Sequence, residues 1–173
     1  GASCLALCDT NGGAVSSEVM AAVKAAIAAP GVTLGIPAQN DGALAVANSL
    51  VAINAGAVQV QGTINGFGER CGNANLCSII ANLKLKMGND CVTDEQLAKL
   101  TDVSHFVSEA ANLAPDPFLP YVGASAFSHK AGLHVNAMAK WANSYQHVDP
   151  ERVGNRQRAV VSELSGRQIC DAR

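Results

Sequence analysis

Short apolar blocks ending in polar, glycine-containing turns alternate with longer small-residue runs through residues 1–90 of this chain. Ser3 to Leu7 reads as a buried strand that stops at Cys8-Asp9-Thr10-Asn11-Gly12-Gly13. Glu18 to Ala28 follows with apolar members at helical spacing, Ser16 or Ser17 placed to cap it and Pro30-Gly31 to end it. Val32 to Ile36 is a second short strand running into Gln39-Asn40-Asp41, and Ala43 to Asn54 is a small-residue helix closed by Gly56. Val58 to Ile64 alternates, with Val58, Val60 and Ile64 set against Gln59 and Gln61. It then breaks into a glycine-rich loop holding Asn65, Glu69, Arg70 and Asn73, before a helical run from Ala74 to Leu83. Strand and helix alternating three times predict an α/β fold with parallel strands and right-handed crossovers. In that topology all three polar clusters fall at the C-terminal edge of the sheet, where α/β enzymes place chemistry.

Beyond Gly88 the period changes. Thr93 and Gln96 form a capping box, and Asp94 to Leu113 carries Leu97, Leu100, Val103, Val107 and Ala110 at three- and four-residue steps. Pro115, Pro117 and Pro120 predict an extended linker. Ala126 to Trp141 reads as another helix, bearing His129, Lys130 and His134, and Val160 to Leu164 as a last short extended segment. The βα part is therefore expected over residues 1–90, with a linker and helical subdomain over 91–173.

Composition narrows the picture. Hydrophobic residues make up 49% of the chain and charged residues 15%, which suits a buried parallel sheet under helices. A net charge of −2 with no basic run disfavours nucleic acid and anionic membranes as partners, and no apolar stretch has transmembrane length. Cys4, Cys8, Cys71, Cys77, Cys91 and Cys170 include no Cys-x-x-Cys pair. Buried reduced thiols of a cytoplasmic protein are expected, rather than disulfides or zinc ligands. The chain opens at Gly1, directly before a strand and without an initiator methionine, so a piece of a longer protein is expected.

Long ordered motifs carry a resemblance. Asp9 to Gly13, Asn40-Asp41 before Leu44 to Ser49, and Gly62 to Ala74 are similar to the metal-dependent Claisen-condensing acyltransferases, the 2-isopropylmalate, homocitrate and citramalate synthases. The similarity continues through Phe127-Ser128-His129-Lys130-Ala131-Gly132-Leu133-His134, Tyr145 to Pro150 and Ser162 to Arg167, and weakens after Gln168. Cys8 to Gly13 and Cys71 to Cys77 most resemble the citramalate synthase branch. The resemblance implies the last three βα units of a (β/α)8 TIM barrel, then a small helical subdomain that reaches the partner's barrel in a homodimer. It implies acetyl-CoA and a 2-oxo acid, pyruvate, as substrates, condensed with release of CoA. The alternatives are the 2-isopropylmalate branch, or a catalytically dead remnant serving as a dimerisation module.

In this family a divalent cation, Mg or Mn, is held by an aspartate in strands that this chain lacks, by a His-x-His pair and often by an asparagine. Asn73 matches the asparagine, but the pair's positions hold Pro37 and Gln39. A glutamine carbonyl ligates a hard cation weakly and proline offers no side-chain donor, so impaired metal binding is expected. By the same resemblance His134 and Tyr145 match the pair that handles the acetyl-CoA proton, and Thr10 a substrate-contacting hydroxyl. Spacing alone would make His134 a packed core histidine and Thr10 the closure of a turn. Glu69 and Arg70 are expected to pair and shape their loop, with His129 and His147 behind the site or at the surface. Three βα units leave two raw sheet edges, so the isolated chain is expected to be inactive and poorly soluble.

Overall fold

Three parallel strands lie side by side in chain order: β1 (Leu5–Ala6), β2 (Leu34–Pro37) and β3 (Gln59–Gln61). The register sets Leu5 beside Leu34 and Ile36 beside Val60. The computed structural model describes residues 2–29, 31, 33–129, 141 and 146–159. It divides into two units, Gly1–Leu83 and Lys84–Arg173.

In the first unit β2 is central and buried at Leu34, Gly35 and Ile36, which is why it reads as an apolar block and not as an alternation. The helices α1 (Ser16–Ile27) and α2 (Ala45–Asn54) share its core, in which Val19, Val23 and Ala52 join Leu34, Ile36 and Ala57. Gly56, at φ +114°, turns the chain out of α2 in a conformation that a side chain would resist. A third helix, α3 (Leu76–Leu85), follows the β3 loop and buries Cys77, Ile79 and Ala81.

The ends of these elements depart from the sequence expectation. The strand read from Ser3 to Leu7 pairs only over Leu5–Ala6 and is exposed, with Leu5 53% accessible, because β1 has a neighbour on one side only among the described residues. Val58 is 69% exposed and outside β3, while Ile64 opens a 3-10 turn (Ile64–Gly66). Neither Ser16 nor Ser17 caps α1. Val15 holds the cap position and the Glu18 carboxylate accepts its N–H at 3.0 Å. Ser16, already inside the first turn, donates to Asn48 Oδ1 at 2.9 Å and so ties α1 to α2.

In the second unit the capping box forms: Thr93 Oγ1 accepts from the Gln96 N–H at 3.2 Å, and Gln96 Oε1 from the Thr93 N–H at 2.9 Å. The expected single helix to Leu113 is two, α4 (Asp94–Leu97) and α5 (Leu100–Ala110). Its buried face is also rotated from the expected one. Leu97, Leu100, Thr101, Ser104 and Ser108 face inward, whereas Val103 and Phe106 are 40% and 69% exposed. Thr101 Oγ1 donates to the Val153 carbonyl at 2.7 Å, in a 3-10 turn spanning Pro150–Val153. The proline segment is not an extended linker but a series of turns leading to buried Tyr121 and Val122. Asn155 Nδ2 fastens it by donating to the Tyr121 and Gly123 carbonyls at 2.9 and 3.0 Å. Ser128–His129 is a strand, β4, parallel to β5 (Arg158–Ala159), so the helix expected from Ala126 does not begin there. The rest of that helix from Lys130 to Lys140, and the Val160 to Leu164 segment, lie outside the described residues.

Candidate active site

The three strand ends converge through main-chain bonds. Asp9 bridges Ala38 in parallel, continuing the β1–β2 pairing, and then Gln39 bridges Asn73 antiparallel, because the β3 loop folds back along the end of β2. The Asn40 N–H donates to the Gly72 carbonyl at 2.9 Å and the Ala74 N–H to the Ala38 carbonyl at 3.0 Å. The same loop is closed on itself by the Thr63 hydroxyl, which donates to the Phe67 carbonyl at 2.6 Å. Gly68 admits Asn73: a Cβ at position 68 would collide with Asn73 Oδ1.

A cavity of about 150 Å³ opens at this edge, lined by Cys8, Asp9 and Thr10 from the first strand end, Pro37, Ala38 and Gln39 from the second, and Asn73 from the third. Thr10, Pro37, Gln39 and Asn73, all singled out in the sequence, are thus brought together. His134 and Tyr145 lie outside the described residues. Asp9 is the residue that sequence reasoning missed as a site member. Its signal was its place two residues past the Ser3 to Leu7 segment, as the acid of the Cys8 to Gly13 turn. Asp9 Oδ2 and Gln39 Oε1 are both buried without a hydrogen-bond partner among the described residues.

Arg70 binds the rim. Its Nε donates to Asp41 Oδ1 at 2.7 Å, and its Nη2 to Asp41 Oδ2 at 3.0 Å and to the Thr10 carbonyl at 2.8 Å. Glu69 pairs with Arg70 as expected from sequence, at 3.8 Å, and the shorter Arg70–Asp41 fork adds a tie to the turn after β2. The hydrogen bond from Arg70 holds the Asp41 carboxyl below its ordinary pKa, and Asp41 in turn raises that of Arg70. Arg70, Ala43 and Asn65 all take positive φ (+55°, +58° and +63°), so backbone strain gathers in the loops around this rim.

The thiols fall differently from expectation. Of the five described cysteines, all free, only Cys77 is buried; Cys8, Cys71 and Cys91 are exposed and Cys4 is half-buried. Loop and strand-end positions keep these side chains at the surface. His147 stacks on Phe127 at 6.3 Å between ring centres and meets Tyr121 edge-on at 5.2 Å. Burial, and then the Lys86 charge, push its pKa below the ordinary histidine value.

Pro37 has a structural effect besides its lack of a side-chain donor. Leu7 N donates to the Gly35 carbonyl at 2.9 Å, Asp9 N to the Pro37 carbonyl at 3.3 Å and Gln39 N to the Asp9 carbonyl at 3.4 Å. In that alternation an N–H at position 37 would reach the Leu7 carbonyl, and proline has none, so the central strand lacks one bond of its ladder. As a cation site, the edge does not suit an imidazole-held ion. Among the described residues no three His, Cys, Asp or Glu side chains gather to hold a metal. The two buried, unpaired oxygens of Asp9 and Gln39 do suit a hard, oxygen-preferring cation.

Comparison with known proteins locates this arrangement. The HMGL-like family profile matches residues 1–107, and the homocitrate synthase post-HMGL domain-like profile matches residues 121–173. The (R)-citramalate synthase of Geobacter sulfurreducens is 57% identical over 96% of this chain and 31% of its own length. That of Synechocystis is 52% identical over 96% of this chain and 32% of its own. A probable 2-isopropylmalate synthase of Methanopyrus kandleri is 36% identical over 92% and 32%. The chain thus spans about a third of the length of these relatives. Among solved structures, Bacillus subtilis HMG-CoA lyase superposes with a TM-score of 0.57 at 25% identity, over 66% of this chain and 40% of the lyase. No helix among the described residues is long and apolar enough to cross a membrane.

Proposed function

The chain belongs to the HMGL-like family, and on that premise we propose that it is part of a citramalate synthase. The enzyme would condense acetyl-CoA with pyruvate and hydrolyse the resulting thioester, giving citramalate and free CoA in the branch leading to isoleucine and leucine. The observation that carries this reading is the 57% identity to a curated (R)-citramalate synthase along 96% of the chain. On this reading the three parallel strands are the last three βα units of a (β/α)8 barrel. Residues 1–90 belong to that barrel, and 91–173 to a subdomain reaching the partner's barrel in a cytoplasmic homodimer.

The chain's own residues then divide the work. The Thr10 hydroxyl donates to the substrate carboxylate, and Arg70 holds the Thr10 backbone in place through its carbonyl. The Asn73 amide, seated over Gly68, and the Gln39 amide oxygen would be the groups that hold a divalent cation at this edge. His134 takes the methyl proton of acetyl-CoA with the help of Tyr145, and the enolate so formed attacks the ketone carbon. A divalent cation bound at this edge, Mg or Mn, supplies Lewis-acid polarisation of the ketone.

The test is CoA release from acetyl-CoA by the full-length protein carrying this chain, with manganese, comparing pyruvate with 2-oxoisovalerate. Turnover with pyruvate, reduced in Thr10→Ala by about 100-fold as expected for a lost substrate-orienting group, supports the reading. Turnover with 2-oxoisovalerate alone moves the protein to the 2-isopropylmalate branch. Pro37 and Gln39 favour a second reading, a catalytically dead remnant retained for dimerisation. No CoA release as written, with release restored by P37H/Q39H, would establish it.

A further inference from the structure

We propose that Arg70 and Asp41 are positioning residues for the 2-oxo acid: their fork sets the turn that carries Thr10, and through Thr10 it governs affinity for the acceptor carboxylate. The use to which this clasp is put rests on the proposed function; the clasp itself stands on the geometry of the three strand-end loops.

The guanidinium joins all three loops. From the third loop, Arg70 Nε donates to Asp41 Oδ1 at 2.7 Å in the second. Its Nη2 has two hydrogens and two acceptors, Asp41 Oδ2 at 3.0 Å and, in the first loop, the Thr10 carbonyl at 2.8 Å. Lysine cannot reproduce this. A guanidinium presents its donors in a fixed planar fork, whereas an ammonium is a point charge.

The fork is aimed from a constrained base. Arg70 takes φ +55°, which a residue other than glycine holds only where its surroundings impose it. The imposing bonds lie within its own loop. The Gly72 N–H donates to the Glu69 carbonyl at 2.9 Å, and the Asn73 N–H to the Gly66 carbonyl at 3.0 Å. Gly72 sits so close to the Gly66 carbonyl that a Cβ there would collide with it.

The turn it holds rests against the same carboxylate. Thr10 and Asn11 are the central residues of a turn closed by the Gly12 N–H, which donates to the Asp9 carbonyl at 3.2 Å. The Gly12 carbonyl accepts from the Gly42 N–H at 3.0 Å. A Cβ at position 12 would collide with the Asp41 carboxylate, so Asp41 is both the group that Arg70 grips and a wall for the turn. Releasing the fork frees the Thr10 carbonyl and moves that wall together, and Thr10 lines the strand-end cavity.

Stability is not the main product of the clasp. The Arg70 and Asp41 side chains are 41% and 25% exposed, and ion pairs so open contribute modestly to folding. What the fork supplies is direction: it fixes where the Thr10 hydroxyl stands when a carboxylate arrives. A misplacement of about 1 Å in a substrate-positioning group costs up to on the order of 100-fold.

The experiment measures pyruvate binding to the full-length protein carrying this chain, with magnesium, by saturation-transfer NMR of the pyruvate methyl group, so that no turnover is needed. It is run as written and in a P37H/Q39H background. R70K and D41N should each weaken binding by about tenfold. In a T10A background R70K should add less than about twofold, since a residue acting through Thr10 then has nothing to position. Hydrogen–deuterium exchange of the peptide covering residues 9–13 should quicken by about tenfold in R70K and D41N without substrate. Where CoA is released, KM for pyruvate should rise while KM for acetyl-CoA stays within about twofold. Thermal melts check folding, and R70Q replaces R70K if the lysine variant unfolds. The proposal is overturned if R70K and D41N bind pyruvate as the parent does, if the R70K loss persists in full in T10A, or if exchange of the turn is unmoved. Pyruvate binding indifferent to R70K rejects the clasp and keeps the proposed function. Quickened exchange in R70K, with no pyruvate binding in either background, keeps the clasp and rejects that function.

Discussion

Both units bury polar residues beneath their helices, but they satisfy them differently. Under α1 and α2, Val19, Val23 and Ala52 pack with the sheet residues Leu34 and Ile36, while the buried polar residues are bonded to the helices themselves: Asn48 Oδ1 accepts from Ser16 at 2.9 Å and the Ser49 hydroxyl donates to the Ala45 carbonyl at 2.8 Å. Under α5 lie Leu100, Thr101, Ser104 and Ser108, and the Thr101 hydroxyl reaches a carbonyl of the Pro150–Val153 turn. The difference teaches what an inward-facing position requires. A helix laid on a sheet meets a surface with no spare hydrogen-bonding capacity, so methyl groups fit best. A helix laid on turns meets carbonyls that need donors, and hydroxyls serve there even though the helix keeps Val103 and Phe106 on its outer face.

Substitutions can break this contrast or sharpen it. The largest effect is expected in the sheet core. Ile36→Ala, at a position 1% exposed, should lower stability by about 2–5 kcal/mol in a denaturant melt. Thr101→Val keeps the shape but removes the donor to the Val153 carbonyl, and should lose about 1–3 kcal/mol; a neutral result would mean that the hydroxyls are incidental. Pro37→Ala runs the other way, restoring an N–H to the central strand, with an expected gain of about 1 kcal/mol. Phe106→Ser, on the outward face, should change the melt by less than about 0.5 kcal/mol while the inward positions do not.

The smallest effects are in pH, where the units should separate again. Asp41 has a lowered pKa, so its contribution is complete above the unfolded aspartate value of about 3.9 and is lost only as pH falls through the still lower folded value. Partial desolvation beside two aromatic rings, and then the Lys86 charge, lower the pKa of His147, so the unfolded state binds its proton first. Stability therefore declines as pH falls below the unfolded value of about 6.5 toward the lower folded one. Carbon-detected titration of the Asp41 carboxyl and proton titration of the His147 ring should give these two thresholds in that order.

The βα alternation was legible because two-sided burial leaves an apolar block, as at Leu34 to Ile36, and because Gly56 and the capping pair Thr93 and Gln96 act within a few residues. What was not legible depended on neighbours distant in sequence. Leu5 is apolar but exposed because β1 has a neighbour on one side only among the described residues. Arg70 sits next to Glu69 in sequence yet forks onto Asp41, 29 positions away. Helical spacing in Asp94 to Leu113 identified a helix but not its inward face, since hydrophobic period alone does not foresee a surface of carbonyls. In the site, Thr10, Gln39 and Asn73 could be named from motifs. Asp9 could not, because its significance lies in a carboxylate oxygen left without a donor.

The antiparallel bridge between Gln39 and Asn73 has a consequence for how this protein can change. The bridge and the two bonds flanking it, from Asn40 N to Gly72 O and from Ala74 N to Ala38 O, consist of main-chain atoms alone. Apart from the proline's missing N–H, no residue identity at positions 9, 37, 39 or 73 enters them. The chassis of the cavity is thus separate from its chemistry, so ligand preference can drift, be lost and return through substitutions that leave the backbone where it is. A combinatorial library at those four positions would therefore vary what the cavity binds over one constant frame.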